Sequence, residues 1–337
     1  MALGRALGGA LIMGVALGAG TAVGPVLAGG LGLTGFAARL VPATLVSAMA
    51  VPLAVVALRR RGGSLRDIGF GGPVGNLRAL CVGAGVTCGA AAIVLGVATA
   101  AGLLSWSRPD LPKLAGFLVA NGVIALLLEA LPEETTLRGH TWTALRGRFG
   151  GVVSALGTTA VFLVVPGLSS VVEAGVAPLV GGDAGPVGLA PGGQDPVDYL
   201  ILLTFFGLML ITARTATRRA PLCVGIGAHL AFLSVNRVVF EGDQRDAGWS
   251  VHLSSPDVKL LVPVYLLVAT AGFAMWRRLG GGDGASGLET EAGSTASAPF
   301  RTLRSSSRFR PRNDSGNNSR ANSHSASDSS WRRITTP

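Results

Sequence analysis

Ionisable side chains are scarce inside the apolar stretches of this chain, and one segment gathers most of them. From Leu126 to His140 it reads Leu-Leu-Leu-Glu-Ala-Leu-Pro-Glu-Glu-Thr-Thr-Leu-Arg-Gly-His. Charges at the centre of a bilayer cost about 2.5–3.5 kcal/mol each on insertion scales, so they mark function more often than decoration. On a helix, Glu129 and Glu133 stand one turn apart and share a face. Glu134 and Arg138 are also one turn apart, with the acid ahead of the base. Two carboxylates can then face a bundle interior while an arginine neutralises a third. A carboxylate held in a low-dielectric site suits general-base work on water. The same spacing also fits a plain helix end with solvated charges. His229, in Gly225-Ile226-Gly227-Ala228-His229, is the other ionisable group inside an apolar stretch. Eight residues of helix carry it about 12 Å into its span, near the level of Glu133, so the two can meet across a bundle. The alternative is a packing histidine bonded to a backbone carbonyl.

These groups need a scaffold, and composition says which kind. Of 337 residues, 49% are hydrophobic and 14% charged, against about 25% charged in soluble domains. The 50 glycines follow no collagen period. Eight apolar segments recur, at 6–30, 36–58, 79–104, 114–134, 151–172, 198–213, 221–240 and 258–276, each close to the roughly 20 residues that cross a bilayer as helix. The fold class expected is all-α: a polytopic transmembrane helical bundle of about eight spans. The first segment is too long for a signal-peptide core of about 7–15 residues and reads as a retained helix. With the N-terminus cytoplasmic, the inner segments hold fourteen basic residues, among them Arg59, Arg60, Arg61, Arg66, Arg214, Arg218 and Arg219, and the outer segments six. That bias follows the positive-inside rule and puts both termini in the cytoplasm, with the Gly- and Pro-rich loop 173–197 outside.

Other classes fall away. Cys81, Cys88 and Cys223 lie in apolar stretches, with neither a disulfide framework nor a C-x-x-C metal knuckle. A net charge of +10 invites a nucleic-acid reading. The basic residues, however, sit between hydrophobic spans, and the 280–337 tail holds eight Arg against five acids. No nucleic-acid partner is expected; membrane lipid is. The tail is rich in Ser, Gly, Asn and Arg and is expected to be disordered.

The run Glu133-Glu134-Thr135-Thr136-Leu137-Arg138 resembles the E-E-x-x-x-R motif of the CPBP family of intramembrane proteases, which includes the type II CAAX prenyl endopeptidases, lysostaphin-resistance-like proteins and abortive-infection-type proteins. The resemblance runs over roughly residues 115–240. Where the family's second motif, F-x-x-x-H, belongs, Phe162-Leu163-Val164-Val165-Pro166 stands, with proline at the histidine position. The third motif, H-x-x-x-N, corresponds to His229-Leu230-Ala231-Phe232-Leu233, with Leu233 where the family has Asn. Asn236, the nearest asparagine, is two turns beyond His229 and about 10 Å along the axis.

This resemblance implies a membrane-embedded endopeptidase that hydrolyses a peptide bond near the cytoplasmic membrane face, in the plasma membrane of a bacterium. Glu133 would activate water, Glu134 and Arg138 would be its supporting pair, and His229 would be an oxyanion donor or metal ligand. Zn²⁺ is implied by the family alone, with Glu133 and His229 as candidate ligands; His140 is a weaker substitute for the missing histidine, or else an interfacial residue with Trp142. The organisation expected is three N-terminal spans over 1–113, a protease-like core of four spans over 114–240, the last span with its outer loop over 241–279, and the tail. Two other readings stand beside the enzyme: a catalytically degenerate relative that binds or scaffolds a membrane protein, because Pro166 and Leu233 replace polar site residues, and a small transporter.

Overall fold

A lone apolar segment in hydrocarbon can satisfy its backbone only as helix, and the chain obeys this. A computed structural model describes residues 2–280. The expected disorder of 280–337 lies outside the described residues beyond Gly280. Among the described residues, eight helices are long and apolar enough to cross a membrane. They are α1 (Ala2–Gly30), α2 (Gly35–Arg59), α3 (Pro73–Ala100), α4 (Leu111–Arg146), α5 (Gly151–Val180), α6 (Pro196–Arg214), α7 (Pro221–Val239) and α8 (Asp257–Arg278). This is a multi-pass helical membrane protein. The all-α expectation omits one feature, a short antiparallel ribbon of β1 (Leu104–Trp106) and β2 (Val251–Leu253). It ties the loop after α3 to the loop before α8, and Trp106 stacks on Trp249 beside it at 4.5 Å.

The chain alternates between two ends. One end carries the Arg-rich connections, where the Arg214 Nη1 donates to the Ile68 carbonyl at 2.8 Å. The other carries the ribbon and the 181–195 loop.

α7 is the innermost helix, with 72% of its apolar window buried, against at most 44% for any other span. Its small residues let α3 come close. A Cβ on Gly227 would stand 2.0 Å from the Leu80 carbonyl oxygen, and one on Gly83 would stand 2.0 Å from the Val224 oxygen. Such backbone-to-backbone contact is how helices associate where apolar burial gives little advantage over lipid.

α4 departs from the sequence expectation. Its span was bounded at 134, yet the helix runs on to Arg146. The polar run after Glu133 is buried rather than solvated: Glu134, Thr135, Thr136, Arg138 and Thr141 are fully inaccessible. Thr141 donates to the Ala6 carbonyl of α1 at 2.9 Å, and Thr136 to the Pro132 carbonyl at 2.7 Å. His140 and Trp142, expected at the headgroup level, are each 7% exposed.

Candidate active site

The local backbone of α4 explains how its carboxylates are aimed. Pro132 has no N–H and would clash with the carbonyl one turn before it. The helix relieves this with wider π turns on both sides, at Leu126–Ala130 and Glu134–Thr141. In the first, the Leu131 N–H bonds the Leu126 carbonyl, and Pro132 has no N–H to offer the Leu127 carbonyl. The Ser47 hydroxyl of α2 donates to that carbonyl instead. Such π turns recur at functional sites because they redirect side chains without breaking the helix.

A cavity of about 510 Å³ lies inside the bundle, and Glu129, Glu133 and His229 all line it, as do Phe162 and Tyr199. Glu129 and Glu133 therefore share a face. Glu129 is already committed: its Oε1 accepts from Arg237 Nη2 at 2.5 Å, and Arg237 Nη1 donates to Asn121 Oδ1 at 3.1 Å. Glu133 is half-buried at the cavity wall and makes no such pair among the described residues.

The carboxylate against the histidine is Glu134. Its Oε1 lies 3.2 Å from His229 Nδ1 and 3.5 Å from Arg138 Nη1, with all three side chains at most 2% exposed. A Cβ on Gly225 would stand 2.7 Å from the Glu134 Oε2, so only glycine there leaves this carboxylate its seat. The Arg138 guanidinium lies 4.2 Å from the centre of the Phe162 ring, a favourable cation–π distance. The Phe206 ring meets His229 edge-on at 4.8 Å and stacks on Phe232 at 4.1 Å. Glu134 thus meets His229 as well as Arg138, the partner that the motif reading gave it. With Nδ1–H given to the carboxylate, the remaining ring nitrogen, Nε2, accepts when the ring is neutral and donates when it is protonated.

Both positions where the family pattern fails, Pro166 and Leu233, line this same cavity with apolar atoms. Asn236 is elsewhere, donating to the Phe232 carbonyl at 2.8 Å and to the Tyr265 hydroxyl at 2.5 Å. His140 does not line the cavity either.

The donor set does not build a zinc site. Structural and catalytic zinc take three or more protein ligands, and among the described residues no three His, Cys, Asp or Glu side chains group to hold a metal. Glu129 and Glu134 are engaged by arginine and histidine. That leaves Glu133 and one imidazole nitrogen.

Beyond Glu133 and His229 the lining runs through Ser169 and Glu173 of α5 to Pro186 and Pro191 of the 181–195 loop, at the end opposite the Arg-rich connections. That loop folds back onto α5. Ser170 Oγ accepts from the Gly188 N–H at 3.1 Å, and Leu189 sits over Gly167, 2.7 Å from where a Cβ would be.

Neither Arg237 nor the Ser47 contact was singled out from sequence as part of the site, although an arginine inside an apolar span was a signal available for the first. No family model, curated protein or solved structure matches this chain.

Proposed function

We propose that the chain is an intramembrane endopeptidase of the CPBP type, in which Glu133 activates a water for attack on a peptide carbonyl. The observation that supports this reading best is that Glu133 and His229, from separate helices, line one cavity inside the bundle. Glu133 and His229 are the catalytic residues of the proposal; Glu134 and Arg138 position the imidazole. Glu133 takes a proton from water as the hydroxide oxygen bonds to the carbonyl carbon. Protonated His229, balanced by Glu134, donates through Nε2 to the developing oxyanion. When the carbon–nitrogen bond breaks, Glu133 returns its proton to the departing amine. No metal enters these steps, because the donor set does not accommodate one. The substrate reaches the site from the side of the 181–195 loop, with an apolar residue against Phe162, Phe206 and Phe232.

A second reading has its own observation. Pro166 and Leu233 give the cavity two apolar walls where polar groups are expected, which suits a binding or scaffold protein. One experiment separates the two: purified protein is offered a quenched-fluorescence peptide library in detergent, with Glu133→Gln as control. Cleavage by the wild type and its loss in the variant support the protease. Equal cleavage, or none from either, leaves the scaffold.

A further inference from the structure

A second cavity lies at the Arg-rich end, with no lining residue in common with the cavity of Glu133. It measures about 430 Å³ and is lined by Arg66, Arg214, Arg218 and Arg219. Its floor is backbone, supplied by Gly69 and Gly71 of the loop before α3 and by Pro221 at the start of α7. Asp67 is the one acid among these lining residues, and its carboxylate is spent locally. Its Oδ2 accepts from the Ser64 N–H at 2.7 Å and the Ser64 hydroxyl at 3.0 Å, which holds Asp67 below its ordinary carboxyl range and therefore ionised at neutral pH. Among the described residues, Arg66, Arg214 and Arg218 against one bound carboxylate leave the cavity positive.

The frame is built, not incidental. Arg214 is 6% exposed and is fixed by the Ile68 carbonyl at 2.8 Å. The Leu222 N–H donates to the Gly69 carbonyl at 3.0 Å, joining the loop to the first turn of α7. Asn76 Oδ1 accepts from the Gly71 N–H at 2.7 Å, fixing the loop where α3 begins. α3 has no side-chain cap at its start, and Gly75 of its first turn faces the cavity. The dipole of this 28-residue helix adds to the arginines. Arg66 and Arg218 are exposed and reach the cavity from different loops. Guanidinium forks match phosphate oxygens two at a time.

We infer that this cavity binds a phosphate-bearing ligand at the Arg-rich membrane surface, either the headgroup of an anionic phospholipid or a free phosphate. The full chain in detergent tests it, with thermal unfolding followed by tryptophan fluorescence. Short-chain phosphatidylglycerol, short-chain phosphatidylcholine and inorganic phosphate are titrated separately. Phosphatidylglycerol raises the midpoint, in a manner that weakens with salt, and phosphatidylcholine does not. If inorganic phosphate acts as well, the free anion suffices; if it does not, the ligand is lipid-borne. The double variant Arg66→Gln/Arg218→Gln loses about tenfold or more in apparent affinity, as expected when two charged forks are removed. A second double variant, Arg59→Gln/Arg60→Gln, removes equal charge outside the cavity and keeps the affinity. The inference is overturned if no anion shifts the midpoint, if phosphatidylcholine acts equally, or if both double variants weaken binding alike, which would mean diffuse attraction.

Discussion

Replacing Gly225 with alanine asks whether the Glu134 carboxylate is truly wedged between α4 and α7. The new Cβ would stand 2.7 Å from Oε2, and ordinary contact begins at 3.4 Å, so something must retreat by about 0.7 Å. Oε1 has little slack, being shared by His229 Nδ1 at 3.2 Å and Arg138 Nη1 at 3.5 Å. A shift of that size takes the histidine contact out of hydrogen-bond range. Losing a buried hydrogen bond to a charged group costs about 1.5–3 kcal/mol. Against this, alanine is the better helix former by about 1 kcal/mol. Gly225→Ala should therefore destabilise the protein by about 0.5–2 kcal/mol. The same change made after Glu134→Ala and Arg138→Leu have removed the charged pair together meets no carboxylate and should stabilise by about 1 kcal/mol. The assay is a double-mutant cycle on unfolding in mixed micelles, read by tryptophan fluorescence. Equal effects in both backgrounds would refute the wedge. So would a wild-type background that gains stability from the alanine.

Two further outcomes follow from the packing and the donor set. Gly227→Val should prevent assembly, since even a Cβ meets the Leu80 carbonyl at 2.0 Å, whereas Gly85→Ala, with nothing within 4 Å, should be neutral or slightly stabilising; the yield of monodisperse protein after detergent extraction separates them. Peptide cleavage should survive 1,10-phenanthroline and gain nothing from added Zn²⁺, because Glu129 and Glu134 are held by Arg237 and His229; loss of turnover on chelation, restored by zinc, would contradict the donor argument.

The eight spans were legible because long runs of Leu, Val, Ala and Gly leave the backbone no option but helix. What stayed hidden was the reach of α4. The run from Glu133 to Thr143 looks like a solvated helix end by composition, and its burial depends on α1, whose Ala6 carbonyl takes Thr141 and whose Gly9 leaves room for that side chain. Spacing along one helix also did not say which of two adjacent carboxylates would meet His229. That choice depends on how α4 is rotated against α7, and the π turns around Pro132 alter the rotation by an amount no regular period contains. Asn121 and Arg237 illustrate the same limit. They are 116 residues apart, and Arg237 bonds Asn121 and Glu129 with its two guanidinium nitrogens, contacts fixed by tertiary packing rather than by local pattern. The contribution of the 181–195 loop to the cavity wall was also hidden, because it depends on that loop's fold-back onto α5.

Everything proposed for catalysis requires that Glu133 and His229 sit in one water-filled space reached past the 181–195 loop. Thiol modification measures this most directly. Leu233, which lines the cavity, is replaced by cysteine in a chain whose Cys81, Cys88 and Cys223 have been changed to alanine. A charged methanethiosulfonate is then applied from the side of that loop. The account predicts rapid labelling of Leu233→Cys and none of Val164→Cys, whose side chain is 56% exposed on the outside of the bundle. A Leu233→Cys thiol as inert as the Val164→Cys thiol, or one labelled only from the Arg-rich end, would contradict it.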